Sequence, residues 1–448
     1  MEPSSQSQPN RSPASGRLRA QLIKGAAGSF VIQIGFAGLA FANAVILARL
    51  LGAEGYGAFA NAMAWTSLLV IITTFGFGAL LVRDVAIYRS RGKWATLKGL
   101  LSFSHSFVLA LSVLSTLVFL VIAGLVFSGP EHEVMRFTLW IAAPLVPLLA
   151  LLKLRESAAR GLEFVIRARL PALIFRPGLL LIGIVSTHLW WPGQLSAPAA
   201  MVINVGSATV ALAIAMLWLR RLFPAEVRQA KPEYQASLWL KAAFPMLIYS
   251  GMQLFLGQID IVMLGVMRDA EEVGLYAAAS RLAYLLVYVT AAADIIVAPI
   301  MARLYSDGEK AQLQKILNHA VRIAFLVVLP FGLALIFAGE IVLGVFGHEF
   351  VAAHSVLAIL AVGRLLDVAF GSGALVLAMT GHQRIVAVIF ASAVVMNVVM
   401  NIFLIPRYGI EGAAIASIVC LVMAKSILGN YARSIAGLRV TFFSVFTK

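Results

Sequence analysis

ARLLGAEGYGAFANAMAW, Ala48 to Trp65, interrupts a long apolar run near the start of the chain, and GVMRDAEEVGLYAAASRL, Gly265 to Leu282, echoes it. At a shift of 217 positions Ala53 falls on Ala270, Glu54 on Glu271, Gly57 on Gly274, Phe59 on Tyr276, Ala60 on Ala277 and Ala62 on Ala279. The match runs on through Leu68/Leu285, Leu69/Leu286, Val70/Val287 and Thr73/Thr290, so that about nine of 21 positions are identical. An Ala- and Leu-rich background inflates chance identity, but it does not supply matched Glu, Gly and aromatic positions. With one residue less of shift, GKWATLKGLL (Gly92 to Leu101) lines up on GEKAQLQKIL (Gly308 to Leu317). The chain is an internal duplication.

Its 448 residues are 61% hydrophobic and 12% charged, more apolar surface than a globular core can hide from water. A membrane-spanning helix needs roughly 20 predominantly apolar residues. About 12 such segments follow one another, near 25–48, 57–82, 100–127, 134–153, 171–188, 197–219, 242–265, 275–300, 320–342, 353–378, 385–405 and 412–430. The expected fold is an all-α membrane protein of two six-helix repeats. An even number of spans returns the chain to its starting side, so the repeats run parallel, related by a pseudo-two-fold axis along the membrane normal. The expected organisation is a disordered cytosolic tail over 1–20, an N-lobe over 21–219, a polar linker over 220–241, a C-lobe over 242–432 and a second cytosolic tail over 433–448.

The net charge of +15 would suggest nucleic acid in a soluble protein, but the placement of the 35 Lys and Arg points elsewhere. With the N-terminus inside, about 29 lie at cytosolic ends and loops, about four outside (Arg49, Arg136, Arg268, Arg407) and two within helices (Arg281, Arg364). That is the positive-inside pattern, and both termini are expected in the cytosol. The opposite orientation would strand Arg155, Arg160, Arg167, Arg169 and Arg176 on the wrong side. Contact with anionic lipid accounts for most of the excess charge.

Catalytic signatures are missing: there is no GxxxxGK loop, no GxGxxG after a strand, no HExxH and no CxxC. The lone Cys420 excludes an internal disulfide. The glycine clusters at Gly76 to Gly78 and Gly371 to Gly373 read as close helix packing or helix breaks, and His348 and His354 as solvated loop residues. No loop is long enough for the soluble domain expected of a membrane glycosyltransferase. The chain is therefore expected to be a transporter and not an enzyme.

Ionisable residues inside apolar helices are the informative exceptions: Asp260, Arg281, Asp294, Arg364 and Asp367. Each costs about 2.5–3.5 kcal/mol at a helix centre, so such groups face a protein interior or a water-filled cavity. Helix rise puts Asp260 and Arg281 at one level, which suits a salt bridge and a substrate site equally. Arg364 and Asp367, at i and i+3, share a face and neutralise each other or a ligand. Asp294 lies toward the inner end of its helix. The 217 shift also sets Asn43 on Asp260, so both lobes carry a polar group at the same height.

ARLLGAEGYGAFANAMAW, FGFGALLVRDVA (Phe75 to Ala86), FPMLIYSGMQLFLGQIDIVMLGVMRDAEEVGLYAAASRL (Phe244 to Leu282) and LIPRYGIEGAAIASIV (Leu404 to Val419) together resemble the Wzx-type polysaccharide flippases. These belong to the multidrug, oligosaccharidyl-lipid and polysaccharide (MOP) exporter superfamily. The resemblance covers nearly the whole chain, most weakly from about 130 to 200. It implies a V-shaped bundle in the bacterial inner membrane that moves an undecaprenyl-diphosphate-linked oligosaccharide by alternating access, for surface polysaccharides such as O-antigen or exopolysaccharide. Polysaccharide polymerase and glycosyltransferases are the implied partners. Joined to the buried charges, it makes Arg281 and Arg364, with Arg49 near the outer mouth, the expected diphosphate sites, and Asn43, Gln33 and Gln258 the expected sugar contacts. Without a nucleotide site, the energy source is expected to be a coupling ion, proton or sodium, exchanged at Asp260, Asp367 or Asp294. No other cofactor is expected. The main competitor is an ion-coupled multidrug or small-solute antiporter of the same superfamily, which calls for an acidic, aromatic lumen.

Overall fold

The computed structural model describes residues 13–129 and 132–442, with side chains described for all of these except 13–31, 249, 250, 253, 289–296, 299 and 302. Among the described residues every regular element is helical, and the all-α membrane fold read from the sequence is the one observed.

Among the described residues eight helices are long and apolar enough to cross a membrane. Two of them, Ile32–Thr74 and Gln383–Ala436, run for 43 and 54 residues, far beyond the roughly 20 needed to span. Each is interrupted by a glycine in the left-handed region, Gly52 at φ 70° and Gly409 at φ 54°, a conformation that a Cβ strains. The chain doubles back at both. Asn43 and Met63, on opposite sides of Gly52, meet the adjacent residues Pro177 and Arg176. Asn401 and Ser417, on opposite sides of Gly409, both hydrogen-bond Asp260.

Those divisions turn the eight into ten, and 236–267 and Ala270–Ser306 bring the long helices among the described residues to twelve: α1 (13–51), α2 (53–90, bent at Phe75 and Gly76), α3 (Trp94–Val126), α4 (Glu133–Gly161), α5 (Val165–Trp190), α6 (Ala197–Leu222), α7 (236–267), α8 (Ala270–Ser306), α9 (Lys310–Phe337), α10 (His348–Phe370), α11 (383–408) and α12 (410–436). Within α7, Gly257 and Gln258 separate Ala236–Leu256 from Ile259–Met267. The duplication is visible in the turns. The residues that open α2 and α8 are 217 apart, and the glycines before α3 and α9, Gly92 and Gly308, both have positive φ, 65° and 76°.

Successive turns alternate between two ends of the bundle. One, the hairpin end, carries Gly52, Arg268 and Gly409; the other, the linker end, carries Gly92, residues 223–235 and Gly308. At the hairpin end a single core draws on both lobes, with Leu47, Tyr56 and Phe59 packed among Val273, Tyr276, Phe346 and Phe350. At the linker end the two largest cores among the described residues are separate. One gathers α2 to α4 around Phe77, Leu80 and Leu154, and the other gathers α8, α9, α11 and α12 around Met301, Leu313 and Phe390. The first turns of α7 belong to the former: Trp239 is fully buried there and donates its indole N–H to the Tyr88 hydroxyl at 3.2 Å.

The hairpin-end contact is reciprocal. A Cβ on Gly57 would lie 1.7 Å from the Ala270 carbonyl oxygen, and one on Gly274 would lie 2.0 Å from the Ala53 carbonyl oxygen. Ala53 and Ala270, like Gly57 and Gly274, are repeat partners, so each lobe makes the same contact with the other, as a two-fold axis requires. Nearby, the buried Asn61 of α2 donates to the Ile261 carbonyl of α7 at 2.7 Å.

The outward surface is apolar. Leu117, Val121 and Leu125, one turn apart on α3, are each more than half exposed, which suits hydrocarbon and not water. The linker is docked: Lys98 donates to the Arg228 and Ala230 carbonyls at 2.7 and 2.8 Å, and Thr96 to the Glu233 carboxylate at 2.8 Å. That hydroxyl, with the Gln235 amide, holds the exposed Glu233 carboxyl below its usual range.

Both glycine clusters are sites of close approach, with the Ala243 carbonyl oxygen 2.1 Å from a Cβ on Gly76 and the Val440 carbonyl oxygen 1.9 Å from one on Gly371. His354, expected to be solvated, is instead half-buried against the Ile336 carbonyl at 2.9 Å and fills the space left by Gly339.

Replacing either Gly57 or Gly274 by Ala forces backbone to move across the lobe contact, and is expected to destabilise the protein by about 1–3 kcal/mol. Gly206→Ala, which meets open space, is the control and should be neutral or stabilising. Thermal unfolding in detergent measures both.

Candidate substrate cavity

Two adjoining cavities lie between the lobes. One of about 480 Å³ is bounded by α1, α7, α8, α10, α11 and α12. The other, of about 340 Å³, is bounded by α1, α2, α5 and α6 on one side and by α7 and α8 on the other. They share Ala40, Gly257, Gln258, Ser280, Arg281 and Tyr284, so the break in α7 and the Arg281 guanidinium stand at their junction. Broken helices beside a cavity expose backbone dipoles where polar cargo needs partners.

The geometry at the junction follows from the break. A Cβ on Gly257 would lie 2.2 Å from the Tyr284 hydroxyl, so only glycine admits that ring. Tyr284 in turn supports Arg364, whose guanidinium carbon sits 4.4 Å from the ring centroid, a favourable cation–π arrangement. Arg281 donates to the Ala40 carbonyl across the lobes at 3.3 Å. Arg364 also faces Asp367 at 3.9 Å, but the nearer partner of Asp367 is Lys425 at 2.7 Å. All three side chains are mostly buried and line the larger cavity.

Asp260 lies in the first turn of Ile259–Met267, where the helix N-terminus favours negative charge. Its carboxylate accepts from Tyr276 at 2.9 Å, from the Asn401 amide at 2.8 Å and from the Ser417 hydroxyl. Asn401 also donates to Asn397 at 3.1 Å, and both asparagines are fully buried. The pairing with Arg281 that sequence depth allowed is not made; three neutral donors hold the carboxylate instead.

The N-lobe side differs. In α5 a π-helical turn, Pro171–Phe175, precedes Arg176 and Pro177, and such turns re-aim the residues that follow. Asn43, the repeat partner of Asp260, donates to the Leu39 and Pro177 carbonyls at 2.8 and 2.9 Å and lines the smaller cavity. Arg176 lines it too, donating to the buried Asn204 amide oxygen at 3.2 Å.

Of the residues singled out in the sequence, Arg281, Arg364, Asp260, Asp367 and Gln258 line the larger cavity, and Asn43, Gln258 and Arg281 line the smaller. Two lie elsewhere. Arg49 is exposed at the hairpin end, where it donates to the Val345 carbonyl at 2.7 Å, and Gln33 accepts from Arg169 at 3.3 Å. Both are engaged with protein groups outside the linings given for the two cavities. The Asp294 side chain lies outside the described residues.

Sequence reasoning missed Arg176 and Lys425. Both fall inside apolar runs, 171–188 and 412–430, and so met the criterion that selected Arg281; counting them with the cytosolic cations concealed them. Asn397 and Asn401, at i and i+4 in an apolar helix, were likewise a legible polar face.

A sequence profile of the polysaccharide biosynthesis protein family matches residues 22–305, and the MatE profile matches residues 245–403. The probable low-salt glycan biosynthesis flippase Agl15 of Haloferax volcanii is 28% identical over 196 residues, which are 43% of this chain and 41% of that protein, so the match spans less than half of this relative's length. Among solved structures, an inward-facing multidrug resistance MATE family transporter of the MOP superfamily superposes with a TM-score of 0.75 at 16% identity, over 91% of this chain and 97% of that one. Lipid II flippase MurJ, in an inward closed conformation, gives 0.69 at 16% identity over 93% and 87%. With its profile matched over more than half of its length and its bundle superposing on these transporters, the chain belongs to the polysaccharide biosynthesis protein family and has the fold of the MOP superfamily.

Proposed function

We propose that the chain is a flippase that carries a polyprenyl-diphosphate-linked oligosaccharide across the bacterial inner membrane, with the linker end in the cytosol. The observation that carries this reading is the pair of adjoining cavities with Arg281 at their junction and Arg364 in the larger of the two. A diphosphate is as costly in hydrocarbon as a buried carboxylate, and sugar hydroxyls need partners of their own. Arg281 and Arg364 supply charge-assisted donors for the first; Gln258 and Asn43 stand beside them for the second. The lipid tail stays in the bilayer. The family description and the names of Agl15 and MurJ support the same substrate class.

In this state the lobes are joined at the hairpin end and have separate cores at the linker end, which suits loading from the cytosolic leaflet. The energy source we assign is a coupling ion, proton or sodium, at Asp260. Asp367 is committed to Lys425, whereas Asp260 has only neutral partners, the donating Tyr276 and Ser417 hydroxyls and the Asn401 amide N–H. A membrane-embedded carboxylate with no cationic partner is free to take up a proton or a sodium ion. A polymerase and glycosyltransferases are the partners this role implies, with O-antigen or exopolysaccharide as the product. A multidrug antiporter shares the fold, but a cavity lined by Arg281, Arg364 and Lys425 disfavours cationic drugs.

Arg281→Glu and Arg364→Glu should each lower binding or transport of the lipid-linked oligosaccharide by about 100-fold or more while leaving membrane insertion intact. Accumulation of the lipid-linked intermediate on the cytosolic leaflet, with loss of surface polysaccharide, is the readout. Normal polysaccharide in both variants refutes the site.

Asp260→Asn should slow transport by about 5- to 150-fold, the usual range of a coupling free energy, and flatten its dependence on pH or on sodium. Reconstituted vesicles with imposed proton or sodium gradients separate the two ions.

A further inference from the structure

Resting on the reading above, we infer that the smaller cavity is a second anion subsite, built around Arg176, that receives a carboxylate carried by a sugar of the cargo. The headgroup is then an acidic oligosaccharide and not a neutral one.

Charge is distributed unevenly between the two cavities. Both carboxylates of the site, Asp260 and Asp367, line the larger one. The smaller is lined by Arg176 and Arg281 and by no acid among the described residues. The described partners of Arg176 are neutral, the Asn204 amide oxygen at 3.2 Å and the Met63 sulfur at 4.0 Å, and its Nε has no partner. No described carboxylate comes within ion-pair distance of it. A buried guanidinium without a counter-charge is strongly unfavourable in a membrane, and an incoming anion relieves it.

The walls indicate what carries that anion. Tyr56 and Phe59 contribute aromatic rings to the lining, and Asn43 and Ser67 an amide and a hydroxyl, the mixture that suits a sugar ring. The Asn43 amide oxygen is buried and unpartnered, an acceptor awaiting a hydroxyl. Arg281 marks the boundary with the larger cavity, so a diphosphate held by Arg281 and Arg364 directs its first sugars toward Arg176. A bidentate guanidinium–carboxylate pair is the strongest interaction available there.

The test compares two synthetic probes, polyprenyl-diphosphate disaccharides that differ only in a terminal glucuronic acid or glucose, binding to the purified full chain by native mass spectrometry. The wild-type chain should prefer the acidic probe by about tenfold or more. Arg176→Gln should bring that ratio close to one, Arg176→Lys should keep it above one, and Arg281→Gln should weaken both probes together. Equal binding of the two probes by the wild-type chain overturns the inference, as does a preference that survives Arg176→Gln. Binding of the glucose probe at full strength would then leave the flippase reading standing, whereas binding of neither probe removes both.

Discussion

The reciprocal seat of Gly57 on the Ala270 carbonyl and of Gly274 on the Ala53 carbonyl sets the distance between the lobes. In a bilayer, apolar side chains gain little by leaving lipid for one another, so helices associate through close packing of small residues and through hydrogen bonds. Here both are present in one layer, because the Asn61 amide reaches the Ile261 carbonyl beside the glycine contact. Gly265 makes room for it: a Cβ there would meet the Asn61 amide at 1.9 Å. The hairpin end is held this tightly, the main described cores at the other end are separate, and the cavities lie between the lobes.

Duplication placed a polar group at the same depth in each lobe, and the two copies have diverged in charge. In the C-lobe the group is the Asp260 carboxylate, enclosed by three neutral donors at the start of a short helix. In the N-lobe it is the Asn43 amide, which donates to two backbone carbonyls within a continuous helix. A carboxylate can exchange an ion and an amide cannot. Arg176 has no basic counterpart at the matching position of the C-lobe, and the N-lobe lining has no acid. One lobe is thus suited to a cation and the other to an anion, although they share an architecture.

Much of this was legible in the sequence, for physical reasons that also explain the rest. Apolar run length and the 217-residue echo report local hydrophobicity and repeated turns, so the bundle, its repeats and the buried charges at Asp260, Arg281 and Arg364 could be read directly. The partners of Asp260 could not: Asn401 and Ser417 lie 141 and 157 residues away, and only the α11–α12 hairpin brings them there. Arg49 and Gln33 illustrate the reverse error. Their depth was plausible, but depth does not fix azimuth around a helix, and both point to protein groups outside the cavity linings. Arg176 was hidden by bookkeeping on the cytosolic side, and its aim depends on a π-helical turn that composition does not announce.

Helix α7 links the N-lobe core to the hairpin-end contact. Its first turns are buried in the N-lobe core through Trp239, and a Cβ at Gly76 of α2 would meet the Ala243 carbonyl. Its second segment carries Asp260 and accepts from Asn61. Alternating access as proposed moves the linker-end cores relative to each other, and α7 is fixed to the N-lobe core at one end and to the hairpin-end contact at the other. The strain falls on its weakest point, the missing helical turn at Gly257 and Gln258. Tyr284 packs on that point and carries Arg364 on its face, while Asp260 sits two residues beyond it. On the proposed assignment, cargo at Arg364 and an ion at Asp260 would both act on this bend, which is the shared element that coupling between two sites requires.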